Sequence, residues 1–192
     1  MPLKVAKRIP IQPPRARPAA KTKAVPKAFG VQGEIMLDVP YVQQEQNEWC
    51  WAACTQMVAA YLGQPDVKQC ELANFLHGQT DCCQNPGSDQ CNQPAPLEKV
   101  VPVYNHLNIH AIGEAHAETI AVMVRELNAK RPVEVGFLWY GGGGHVVIVR
   151  GLDEDGNFAV HDPWFGSGPV TYLGLLTAYG QGRWGVSYGD FR

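Results

Sequence analysis

The chain has 192 residues, 45% of them hydrophobic, and a formal net charge of −2. That length suits one domain plus a tail better than two full domains, and the apolar share is enough for a real core. No apolar run approaches the ~20 residues a bilayer-spanning helix needs, so no membrane partner is expected.

Charge divides the chain. Residues 1–33 carry eight Lys/Arg and no acid, together with six of the fifteen prolines, and the remainder carries eight Lys/Arg against eighteen Asp/Glu. A +8 tail therefore precedes a −10 body. Such a tail buries too little apolar surface to offset its ordering entropy, so residues 1–33 read as a disordered leader, propeptide or linker and residues 34–192 as the folded domain. The acidic body argues against nucleic acid as a partner. The tail lacks the ~7–15-residue apolar stretch of a Sec-type signal.

Residues 34–46 begin as an extended apolar stretch interrupted by Pro40. From Cys50 to Leu62 the pattern is helical: Cys54, Met57, Val58 and Tyr61 form one stripe, and Gly63 and Pro65 stop it. A short helix is predicted over Cys70–Leu76, a loop over 78–95, and further helices over Pro96–Leu107 and His116–Asn128. Short β-prone runs follow at Val133–Tyr140, His145–Arg150 and Asn157–His161, with weaker ones at Pro169–Tyr172 and Trp184–Tyr188. Helices first and strands second predict an α+β fold, a helical half packed against an antiparallel β half.

The strongest chemical signal is Trp49-Cys50-Trp51-Ala-Ala at the start of the first helix. Unpaired backbone N–H groups and the positive end of the helix dipole stabilise negative charge on the Cys50 sulfur, the nucleophilic form of the residue. His145 opens an apolar strand directly after Gly141–Gly144 and is placed to act as general base. The turn at 153–156 returns the chain so that Asp162, ending the next strand, shares an end of the hairpin with His145 and can orient it. The Cys50 N–H can supply one oxyanion donor; Gln43, Gln44, Gln46 and Asn47 are all in reach for a second. Trp49, Trp51, Trp164, Gly143 and Gly144 are candidate substrate contacts, and Trp139 and Trp184 candidate core.

Cys54 lies on the apolar stripe and reads as packing. Cys70, Cys82, Cys83 and Cys91 contain no Cys-x2-Cys pair, so zinc is disfavoured and two disulfides are expected, either 70–82 with 83–91 or 70–83 with 82–91. Disulfides without a Sec-type signal point to secretion by a non-classical route, with a cytoplasmic life and free thiols as the alternative.

Gln44-x5-Cys50-Trp51-Ala52, a strand-opening His145 and Asp162-Pro163-Trp164 together resemble papain-like cysteine peptidases. The resemblance implies Gln44 as oxyanion donor, a Cys50–His145–Asp162 triad, no metal or organic cofactor, and a peptide or protein substrate; a monomer is expected. Asp at 162, where that family has Asn, makes the orienting group anionic and favours the imidazolium. Val39-Pro-Tyr-Val-Gln-Gln followed by Trp-Cys-Trp-Ala-Ala is more closely similar to the small avirulence-effector cysteine proteases of plant-pathogenic bacteria, over roughly residues 38–190. That family cleaves after sites like Val-Pro-x-Phe-Gly. Val25-Pro-Lys-Ala-Phe-Gly30 has one residue more between Pro and Phe, and raises the expectation of self-processing near Gly30. The same triad also runs amidase, deamidase or transglutaminase chemistry on protein side chains.

Overall fold

The computed structural model describes residues 33–192. The basic tail and the Val25–Gly30 segment lie outside the described residues.

The order is β1 (Ile35–Met36), α1 (Cys50–Tyr61), α2 (Gln69–His77), α3 (Leu97–His106), β2 (Ile112–Glu114), α4 (Ile120–Asn128), β3 (Val133–Trp139), β4 (Gly144–Leu152), β5 (Phe158–Asp162), β6 (Gly166–Val170), α5 (Tyr172–Leu176) and β7 (Gly182–Gly189). One antiparallel sheet runs β2-β7-β3-β4-β5-β6, and β1 pairs separately with β4. The fold is α+β, as the succession of periodicities predicts.

α1 is the central helix. Its stripe residues Cys54, Met57 and Val58 are fully buried, and so are Ala52, Ala53 and Ala59 on its other faces. Small alanines let α2, α3 and the sheet approach from several sides, which is why this helix is apolar nearly all round. It packs on β4, where Val147, Ile148 and Val149 are fully buried, and Cys54 Sγ reaches the Val146 carbonyl at 3.4 Å.

Three expectations are revised. The helix predicted from His116 begins at Ile120, where the Thr119 hydroxyl accepts from the Val122 N–H and caps it, a contact typically contributing about 1 kcal/mol. The strand predicted over 169–172 lies at Gly166–Val170, and Tyr172 instead opens α5, capped by Thr171. β2 sits among the helices in chain order yet joins the sheet edge beside β7.

Candidate active site

Cys50 is the first residue of α1. No side chain caps this helix and no acid stands in its first turn, so the positive end of its dipole is left for the sulfur. Cys50 is a free, partly exposed thiol; Cys54, the other free thiol among the described residues, is buried.

Three neighbours hold the approach to the nucleophile. The Glu48 N–H donates to Asn92 Oδ1 at 3.1 Å, Trp49 Nε1 to the Cys91 carbonyl at 2.8 Å and Trp51 Nε1 to the Gln93 carbonyl at 3.2 Å. The 91–93 segment is fastened in turn by the Cys82–Cys91 bridge, while Cys70–Cys83 ties the same loop to α2. Of the two pairings left open by the sequence, the structure has 70–83 with 82–91. Asp81, Cys82 and Cys91 cluster closely enough for a metal, but the two sulfurs are bonded to each other and are not available as thiolates.

Trp49 and Trp51 do not face a substrate. Trp49 is fully buried and Trp51 is 2% exposed, both anchored into the disulfide loop. This corrects their assignment as substrate contacts: the two large rings flanking the nucleophile seat the helix against the disulfide loop through the Cys91 and Gln93 carbonyls.

His145 is the second residue of β4. The turn before it needs glycine at two positions, Gly142 (φ 88°) and Gly143 (φ 81°), both left-handed. At Gly144 a Cβ would lie 2.6 Å from the Phe137 carbonyl, so that residue is required by strand pairing. Backbone geometry accounts for these three glycines, all of them exposed beside His145.

The imidazole is 9% exposed. Nε2 donates to Asp162 Oδ1 at 2.8 Å. With Nε2 committed to Asp162, Nδ1 is the nitrogen left for the nearby Cys50 sulfur, which interacts with the ring. Burial is the largest single influence on the ring and works against its charge. The hydrogen bonds to Asp162 and Cys50, with the negative charge of both, together outweigh it and raise the pKa to about 10. The ring therefore favours the imidazolium form at neutral pH.

Asp162 ends β5 and is 3% exposed. Its Oδ1 also accepts from the Trp164 and Phe165 N–H groups at 2.9 and 3.0 Å, and its Oδ2 accepts from the Tyr179 hydroxyl at 3.1 Å. The two backbone contacts form a local turn that the Asp side chain itself closes. Trp164, 38% exposed, thus meets Asp162 through its backbone, and it is the Phe165 ring that stands 6.0 Å from the imidazole. Trp139, expected in the core, stacks near the imidazole at 6.1 Å and 17°. Phe137 pairs with His145, so the end of β3 lies beside that ring. Trp184 is core, at 4% exposure.

Gln44 is buried, but its Nε2 donates to the Gln46 and Asn47 carbonyls at 2.7 and 3.0 Å. Both amide protons are engaged, so contact with an oxyanion requires one of them to be released. Its Oε1 is buried without a partner. The Gln44 N–H donates to the Pro163 carbonyl at 3.0 Å, which ties this segment to the Asp162 turn. Fully buried Gln69 buttresses the same segment: its Oε1 accepts from Glu45 N–H and its Nε2 donates to the Gln43 carbonyl.

His161 faces away, with Nε2 donating to the Val39 carbonyl at 2.9 Å and Nδ1 accepting from Ser167. Burial, first, lowers its pKa, so it is a neutral structural ring.

The family model described as papain-like cysteine protease AvrRpt2 matches residues 33–172. No curated protein gives a match. Several solved structures are similar, three of them as follows. A double glycine motif protease from an AMS/PCAT transporter, in complex with the leader peptide, is 19% identical with a TM-score of 0.48, covering 81% of this chain and 92% of that one. Interpain A of Prevotella intermedia is 13% identical with a TM-score of 0.42, covering 69% and 56%. The Pseudomonas avirulence protein AvrPphB is 8% identical with a TM-score of 0.38, covering 80% and 97%.

Proposed function

The chain belongs to the papain-like cysteine protease family of AvrRpt2, and from that premise we propose that it is an endopeptidase working through a Cys50–His145–Asp162 triad. The observation carrying this reading is that a buried imidazole is hydrogen-bonded to the Asp162 carboxylate and interacts with the partly exposed Cys50 thiol at the start of α1.

The chemistry follows from that chain of contacts. The Cys50 sulfur, as thiolate, attacks the scissile carbonyl carbon, and the carbonyl oxygen takes up the negative charge. The Cys50 N–H at the helix start stabilises that oxygen, with Gln44 as second donor once its amide is released. Collapse breaks the C–N bond, and His145 gives its proton to the departing amine. A water molecule then loses a proton to His145 and attacks the thioester, which releases the acid and restores the thiolate–imidazolium pair. Asp162 keeps Nε2 protonated throughout, so Nδ1 is the atom that exchanges protons with sulfur, amine and water.

The substrate is a peptide or protein chain. Exposed Gly143 and Gly144, with the exposed Trp164 and Phe165, are the surfaces assigned to it. The basic tail up to about Gly30 is read as a leader or propeptide removed by self-processing, in a protein secreted by a non-classical route. The support is the Val25–Gly30 sequence and the bridged cysteines.

The test is cleavage of a diverse peptide library, with Cys50→Ala as blank, alongside intact mass of the purified full chain. Cuts and loss of the tail in wild type alone are the expected result. A peptide mass gain of ~1 Da without cleavage would replace the peptidase by a deamidase. Full-length wild type after prolonged incubation would end the self-processing claim.

A further inference from the structure

We propose that Tyr179 is a positioning residue for this reaction, its hydroxyl fixing the plane of the Asp162 carboxylate that orients His145; the inference rests on the triad reading above. Tyr179 lies beyond the residues matched by the family model, which end at 172.

Three donors meet Asp162 at Oδ1: His145 Nε2, Trp164 N and Phe165 N. They fix one oxygen. The Tyr179 hydroxyl, 3.1 Å from Oδ2, fixes the other and with it the plane of the group. Asp162 is 3% exposed, so without this donor Oδ2 loses its partner in a place with little water. An unpaired buried carboxylate oxygen is costly and favours protonation or rotation, either of which misdirects the imidazole.

The backbone at Tyr179 is strained. Ala178 (φ 44°) and Tyr179 (φ 58°) are both left-handed, ahead of Gly180 (φ 84°). A non-glycine residue in that region costs roughly 1–2 kcal/mol, so a turn chosen for comfort would carry Gly or Asn. Strain held at a site of this kind marks a constraint on the side chain. The Tyr179 ring is locked edge-on against Phe137, with centroids 5.1 Å apart. Burial first, then the charge of Asp162, raises the phenol pKa well above its ordinary value, so the hydroxyl stays a donor across the working pH range.

The experiment is Tyr179→Phe, which keeps the ring and its packing. Activity is normalised to sites titrated by an active-site alkylator, so partial misfolding does not enter the comparison. The expected result is a fall in kcat of about tenfold with KM within about twofold, the loss of one hydrogen bond to a charged group. Because the less firmly held carboxylate supports the imidazolium less well, the alkaline limb of kcat/KM should also move to lower pH. In an Asp162→Ala background the same change should cost nothing further, since the two act as one unit. A wild-type kcat and pH profile in Tyr179→Phe, or a further tenfold loss in the Asp162→Ala background, overturns the proposal. Cys50→Ala run in parallel separates the two levels: if it keeps turnover, the triad reading itself fails; if it is inactive while Tyr179→Phe behaves as wild type, only the positioning role fails.

Discussion

His145 Nε2 and Asp162 Oδ1 lie 2.8 Å apart although seventeen residues separate them in the chain. The register explains the meeting. Ile148 pairs with His161 across β4 and β5, so His161 and Asp162, as successive residues of a strand, turn to opposite faces. Asp162 therefore shares the face of Val147 and His145, two positions away on the diagonal, while His161 points to Val39. A single-residue slip would exchange the two and leave an imidazole where the carboxylate belongs.

The charge on Asp162 is what distinguishes this site from an Asn-oriented one. Asp162→Asn keeps an oxygen for Nε2 and for the Trp164 and Phe165 N–H groups but removes the charge that helps raise the His145 pKa. Turnover should drop roughly three- to tenfold at neutral pH, and the alkaline limb should move to lower pH. Asp162→Ala should cost about 100-fold or more, because orientation goes as well. Steady-state kinetics from pH 5 to 11 on both variants check this.

In the wild type, the active pair is lost when His145 gives up its proton. With its pKa raised to about 10, kcat/KM should hold through neutral pH and decline only as pH approaches 10. The same shift bears on folding. An unfolded imidazole titrates near 6.5, so its contribution to stability is complete below that pH, fades above it and is gone above about 10. Urea midpoints of His145→Gln should accordingly lose less than wild type between pH 7 and 10.

Glu134 predicts a second, separate pH dependence. It is fully buried on β3, and burial, partly offset by the hydrogen bond from the Tyr104 hydroxyl, raises its pKa to about 8. The unfolded carboxyl ionises near 4.5, so between about 4.5 and 8 the folded state holds a proton that the unfolded state has lost. Stability must fall over that window as pH rises. Glu134→Gln should flatten the slope, leaving the variant more stable than wild type by a few kcal/mol at pH 8. Thermal melts at four or five pH values decide it.

The disulfide loop carries the mounting of the nucleophile. Removing the Cys82–Cys91 bridge by paired Ser substitution should cost about 2–4 kcal/mol in stability. It should also release the 91–93 carbonyls and the Asn92 amide from Glu48, Trp49 and Trp51, so turnover should fall together with the melting temperature. Calorimetry and kinetics on the same preparation test both halves; unchanged turnover in a destabilised variant would show that the loop supports the fold but not the site.

Much of this architecture was legible because its periodicities are strong. The stripe of Cys54, Met57, Val58 and Tyr61 marks α1, and the apolar runs of β3, β4 and β5 end at recognisable turns. β2 was not legible: Ile112–Glu114 is a short, exposed edge strand whose existence depends on pairing with β7, 73 or more residues later in the chain. Trp49 and Trp51 misled because aromatic rings beside a nucleophile can line a cleft or seat a helix, and only burial tells which. Tyr179 carries no local signal at all, since a hydroxyl reaching Asp162 from a left-handed turn is purely a tertiary contact.

The central claim is that Cys50 and His145 form one reactive unit. Its most direct test is the rate at which a peptidyl electrophile alkylates the protein, followed by mass spectrometry of the labelled peptide in wild type, His145→Ala and Cys50→Ala. One adduct per chain is predicted, on Cys50, formed at least about 100-fold more slowly in His145→Ala and absent in Cys50→Ala. Labelling of Cys54 instead, or equal rates in wild type and His145→Ala, would contradict it.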